Sequence, residues 1–133
     1  MDHPTADDLA RVPLLAHLTD DARQVLADRF EVEEFDAGRQ LVTEGRAGYS
    51  IYLLDSGTVS VTHEGREVRT LGPGDFFGEI AILGEGRRTA TVTATEPGVA
   101  WSLFGTSFRA LQAERPDVAD ALEGAMTERL AAD

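Results

Sequence analysis

Residues 75–95 carry the side chains that can do chemistry: Asp-Phe-Phe-Gly-Glu-Ile-Ala-Ile-Leu-Gly-Glu-Gly-Arg-Arg-Thr-Ala-Thr-Val-Thr-Ala-Thr. The second half reads as a strand, because alternate residues sort by type. Ala90, Val92 and Ala94 share one face, while Thr89, Thr91, Thr93 and Thr95 share the other. The apolar face must turn inward, and Arg88 has its parity. An inward guanidinium is costly unless an anion meets it. The small Ala90 and Ala94 leave room beside it, so this face predicts a pocket for an anionic ligand.

The first half supplies complementary parts. Gly78 permits a tight backbone, and residues 79–83 are long enough for one or two helical turns before Gly84. The N-terminus of such a turn offers unpaired N–H groups and partial positive charge. Glu79 sits there and can accept a hydrogen bond from a ligand hydroxyl. Arg88 offers the two-pronged donor that matches phosphate oxygens. A plainer arrangement uses the same residues: Glu79 stabilises the helix dipole and Arg88 pairs with it, leaving no site.

Other chemistries lack their parts. His3, His17 and His63 are far apart and do not have paired-ligand spacing. Cysteine is absent, which removes disulfide and thiolate chemistry. There is no phosphate loop, dinucleotide fingerprint or nucleophile–base pair, so the expectation is a protein that is not an enzyme and holds no cofactor or metal. Net charge is −12, and all twelve basic residues are arginine. That balance opposes contact of this domain with nucleic acid or an anionic membrane. The polar, acidic first ten residues do not form a signal peptide, and no apolar run approaches the roughly 20 residues of a membrane span. The expectation is a cytoplasmic domain.

The elements that must position residues 75–95 fall into three zones of one domain of 133 residues. Residues 1–30 read as helical, with Thr19 as a cap and Pro13 between two short helices. Residues 31–104 read as short strands broken by glycine, with Val59 and Val61 alternating against Thr58, Ser60 and Thr62. Many closely spaced strands argue a β-sandwich or barrel. Residues 105–133 return to helix, and Pro116 and Asp117 open a segment with Val118, Ala121, Leu122, Ala125, Met126 and Leu130 on one face. Without a glycine or proline terminator, that helix can continue in a longer parent chain.

The ordered run Phe77-Gly78-Glu79-Ile80-Ala81-Ile82-Leu83, a loop over 84–87, then Arg88-Thr89-Ala90-Thr91-Val92 resembles the phosphate-binding cassette of the cyclic-nucleotide-binding domain family. The resemblance extends to residues 35–38, 41–45, 51–54, 56–59 and 71–75, which are similar to the family's strands and turns. It implies a mainly β fold with flanking α elements: an antiparallel β-barrel of double-stranded jelly-roll type. N-terminal helices, a short phosphate-cassette helix within 77–92, and C-terminal helices with a lid accompany the barrel.

It further implies a sensor whose ligand is cAMP, with cGMP as an alternative. Glu79 would accept from the ribose 2′-hydroxyl and Arg88 would bind the cyclic phosphate. Gly78 and the backbone N–H groups of Ile80, Ala81, Thr89 and Ala90 would complete the phosphate shell. Val61, Val68 and Leu71 would line the base pocket beside Phe77, and Arg129 and Leu130 would reach the base from the last helix. In the family, threonine at the position of Thr89 is associated with tolerance for cGMP; threonine also simply suits a strand start. Arg87, where the family commonly has proline or a small residue, reads as a solvated loop charge. The last helix can also serve a homodimer or a downstream effector. Two rivals stand beside this reading: a barrel-type protein-interaction domain that no longer binds nucleotide, and a cupin-like enzyme.

Overall fold

A computed structural model of the chain describes residues 3–13, 15–42, 50–77 and 90–132, with side chains to 127 in the last helix. Among the described residues eight strands follow one another: β1 (Glu31–Phe35), β2 (Gln40–Val42), β3 (Ser50–Ser56), β4 (Val59–His63), β5 (Arg66–Leu71), β6 (Phe76–Phe77), β7 (Thr91–Ala94) and β8 (Gly98–Phe104). Their pairing follows one simple rule. The first strand pairs with the eighth, the second with the seventh, the third with the sixth and the fourth with the fifth, all antiparallel. The strands therefore form one long hairpin ribbon with its tip at Glu64 and Gly65. Two further pairings, β3 with β8 and β4 with β7, fold the ribbon into sheets of order β1-β8-β3-β6 and β2-β7-β4-β5. This is the strand order of a rolled, jelly-roll ribbon.

The expected barrel is corrected in one respect: among the described residues no pairing joins the two sheets, which stay open. Every connection except the β4–β5 hairpin crosses from one sheet to the other, so the sheets are joined by turns rather than by ladder hydrogen bonds. The edge strands β2 and β6, of three and two residues, are too short to close the gap.

Strand periodicity then decides what each face meets. In β8, Trp101 and Leu103 join the core beneath the helices, while Ala100 joins the core between the sheets. In β3, Ile51 and Leu53 face the helices and Leu54 faces the second sheet. The inner strands β3 and β8 of the first sheet are thus covered on both sides, which explains their nearly continuous apolar runs.

Four helices cover its outer face: α1 (Ala6–Ala10), α2 (Asp20–Arg29), α3 (Gly105–Glu114) and α4 (Pro116–Ala132). The helix α1 is held by a capping box. The Thr5 hydroxyl accepts from the Asp8 N–H at 3.1 Å, and the Asp8 carboxylate accepts from the Thr5 N–H at 2.9 Å. That bond holds the Asp8 carboxyl below its ordinary range. Thr19 caps α2 as its sequence position predicts, its hydroxyl accepting from Ala22 N–H at 3.1 Å. The apolar stripe of α4 packs inward. Val118, Leu122, Ala125 and Met126 are buried in the helix-side core against the outer face of the first sheet, so in this arrangement they are not available to cover a ligand. Among the described residues no helix is long and apolar enough to cross a membrane.

Candidate functional site

The two sheets enclose a core between them, and its residues form rows across the strands. Across the first sheet, cross-strand register places Ser102, Tyr52 and Phe77 side by side. Across the second it places Val42, Val92, Val61 and Arg69 side by side. The Tyr52 ring stacks on Phe77, centroids 5.0 Å apart and planes 14° apart, an arrangement that adds to simple burial. One row nearer the turns lie Leu71, Val59 and Ala94. On the other side of the Val92 row, Ala90 is half-buried at the start of β7.

Phe77 and Thr91 are the two ends of the segment that carries the predicted anion-binding residues. Phe77 stands on the edge strand of the first sheet and Thr91 on an inner strand of the second. Gly78, Glu79, Ile80, Ala81, Arg88 and Thr89, with the expected short helix, lie outside the described residues. The backbone of Arg129 and Leu130 belongs to α4, and their side chains lie outside the description.

Of the apolar residues expected to line a base pocket, Val61 and Phe77 are buried between the sheets, in the rows just described. Leu71 is buried there too, one row deeper. Val68 is different. The β4–β5 register shifts so that Val61 faces Arg69 while Thr62 faces Glu67, which leaves Val68 as the extra residue of a bulge. It is 58% exposed and does not join Val61 in the interior. The alternating pattern of the sequence gave no sign of that extra residue.

Two residues that sequence reasoning passed over belong to the same interior face. Tyr52 sits in an unbroken apolar run that conceals which side it takes. Ser102 is fully buried, and its hydroxyl has no hydrogen-bond partner among the described residues. A lone polar residue within the apolar run 99–104 was the available signal for it.

Other features lie at the opposite end of the sheets. An open groove of about 670 Å³ runs along Glu34, Phe35, Asp36, Arg39, Pro97, Gly98 and Val99. Its arginine is already engaged, donating to the Glu33 carboxylate at 3.2 Å and the Glu34 carbonyl at 3.1 Å. The remaining carboxylates disfavour an anion there. Burial pushes the Asp55 carboxyl up, with repulsion from Asp8 adding to it. Among the described residues no three His, Asp or Glu side chains converge as a metal site would require.

Comparison with known proteins gives this architecture its place. Residues 32–115 match the family model of the cyclic nucleotide-binding domain. The chain is 41% identical over 98 residues to a cGMP-dependent protein kinase of Drosophila melanogaster, an overlap of 68% of this chain but only 13% of the kinase. The N-terminal domain of a transcriptional regulator from Streptomyces coelicolor is 32% identical, with a TM-score of 0.75, covering 94% of this chain and 90% of that one. The regulatory domain of Toxoplasma gondii cAMP-dependent kinase, crystallised with cAMP, is 28% identical, with a TM-score of 0.78, covering 92% and 48%. The family match spans the strands of both sheets, and the chain belongs to the cyclic nucleotide-binding domain family.

Proposed function

We propose that residues 1–133 form one regulatory domain that binds cAMP, and cGMP in second place, at the end of the sheets where Phe77 and Ala90 frame the cassette. The observation that carries this reading is the order Phe77-Gly78-Glu79 to Arg88-Thr89-Ala90, hung between facing sheets of the family fold. Arg88 binds the cyclic phosphate and Glu79 accepts from the ribose hydroxyl. Gly78 lets the backbone turn so that the N–H groups of Ile80, Ala81, Thr89 and Ala90 approach the phosphate oxygens. Val61 and Phe77 give the purine an apolar floor. Bound cAMP in the Toxoplasma relative and the cGMP-dependent kinase match support a cyclic mononucleotide as ligand.

The output runs through the helices. The first turns of α4 are committed to the helix-side core, so the part that meets the base is its last turn, with Arg129 and Leu130. Closing that turn over the base removes apolar surface from water, and nucleotide favours the closed position through contacts it makes only there. The domain is a cytoplasmic sensor without catalysis, acting on a downstream effector or a second copy through α4.

Calorimetric titration of cAMP and cGMP tests this directly. Loss of one charge-assisted hydrogen bond costs about 1.5–3 kcal/mol, so Arg88→Ala weakens cAMP binding by about tenfold or more. Glu79→Ala does likewise. Unchanged affinity in the Arg88 variant refutes the site, and no binding by the unaltered domain favours a protein-interaction role.

A further inference from the structure

The junction between α3 and α4 is a single residue. Arg115 has φ −140° and ψ 72°, outside the helical region, and Pro116 begins the next helix. The hinge residue and the residue before it are both held by α2. The Arg115 guanidinium donates to the Asp21 carboxylate in the first turn of α2, and also to Asp117 in the first turn of α4, at 3.0 and 3.1 Å. Glu114, the last residue of α3, accepts from Arg29, the last residue of α2. These contacts raise the Arg115 pKa and hold the Asp117 carboxyl below its ordinary range, in each case mainly through their mutual hydrogen bonds.

The arrangement is directional. Glu114 and Arg115 are adjacent in sequence but reach opposite ends of α2, so α2 is tied to the end of α3 and to the hinge residue, which in turn holds Asp117 of α4. The apolar core beneath resists separation of the helices, yet it resists sliding and rotation less, because packed apolar surfaces have no fixed partner atoms. Two ion pairs at opposite ends of one helix resist rotation, since no single turn keeps both within reach.

We propose that α2 is a splint for the α3–α4 hinge, and that its two ion pairs make the position of α4 sensitive to charge and ionic strength. The pairs are exposed, so each has a modest effect and salt weakens them.

The amides of Val118 and Ala119 report the hinge directly, because both donate to the Arg115 carbonyl, at 3.0 and 3.1 Å. Hydrogen exchange at these amides, measured without nucleotide, keeps the test separate from the site assignment above. Asp21→Asn and Glu114→Gln each speed that exchange by about twofold to fivefold. The paired exchange Arg29→Glu with Glu114→Arg restores the slow rate. Asp20→Asn removes the same charge from the same turn of α2 without touching the hinge, and leaves the rate unchanged. High salt speeds exchange in the unaltered domain and has little effect in the Asp21→Asn, Glu114→Gln double variant. Unchanged exchange in both single variants, or an equal rise in Asp20→Asn, overturns the splint.

Discussion

The two ends of the sheet pair are built differently. At one end the sheets are joined by four short connections, at 36–39, 57–58, 72–75 and 95–97, locked by backbone hydrogen bonds. Gly38 N–H donates to the Ala94 carbonyl at 2.7 Å, Gly74 N–H to Leu54 at 2.8 Å and Thr95 N–H to Thr58 at 2.9 Å. At the other end the connections are the longer segments 43–49 and 78–89, and the second of these carries Glu79 and Arg88. Short, bonded turns fix the relative position of the sheets. It is on such longer connections that a rigid scaffold commonly carries its binding residues. Stability and ligand recognition should therefore respond to different substitutions.

The largest expected effect breaks the turn end. A Cβ on Gly98 would stand 2.2 Å from the Ser56 carbonyl oxygen and 2.9 Å from the Gly57 Cα. Both contacts are backbone and cannot rotate away. Gly98→Ala is expected to destabilise the domain by about 3 kcal/mol, seen as a lower urea midpoint with an unchanged slope. Cyclic-nucleotide affinity of the protein that remains folded should match the unaltered domain. A loss of affinity without a loss of stability would erase the division between the ends.

Arg88→Ala is the mirror experiment and comes next in size. Besides its loss of affinity by about tenfold or more, its urea midpoint should stay within about 0.5 kcal/mol of the original. Marked destabilisation instead would mean that Arg88 serves an internal ion pair.

How much of this was legible beforehand follows from the physics of each signal. Alternation at Val59 and Val61, and at Val92 and Ala94, showed which residues turn inward, because a half-buried strand sorts its side chains by parity; all four are buried. Pro116 marked the start of α4 because proline fits a first helical position. The resemblance to a phosphate cassette was readable because its residue types and order are specific, while residues 78–89 lie outside the described residues. Hidden from the sequence were features that depend on register between distant strands. Val68 looked like any other strand valine, and only its place opposite the Val61–Thr62 step makes it a bulge. Tyr52 against Phe77 likewise depends on how β3 meets β6. The α4 stripe was legible as apolar, but periodicity cannot say whether such a stripe meets a ligand or the protein's own core. The open sheets were missed for a related reason: alternation is the same in a sandwich and in a barrel.

A smaller effect concerns selectivity at the cassette end. If the Thr89 hydroxyl reaches guanine, Thr89→Ala lowers cGMP affinity more than cAMP affinity. One hydrogen bond contributes about 0.5–1.5 kcal/mol, so the affinity ratio should move by several-fold. Competition binding with both nucleotides measures it, and an equal loss for both would reduce Thr89 to a phosphate contact or a strand residue.

The smallest effect lies between the two ends. Ser102 is fully buried in the row that also holds Tyr52 and Phe77, and its hydroxyl lacks a partner among the described residues. A buried hydroxyl without a hydrogen bond gives up its contacts with water and gains nothing in exchange. Replacement by alanine removes that cost while deleting a single atom from the packing, and alanine suits a strand slightly less well. The balance favours Ser102→Ala by up to about 1 kcal/mol, read as a higher urea midpoint. Ser102 is two strands away from Phe77, with Tyr52 between them, so cAMP affinity should not change. Lower stability would show that the hydroxyl has a partner in solution. Unchanged stability with weaker cAMP binding would move the boundary between scaffold and site one row deeper, to the level of the Tyr52–Phe77 stack.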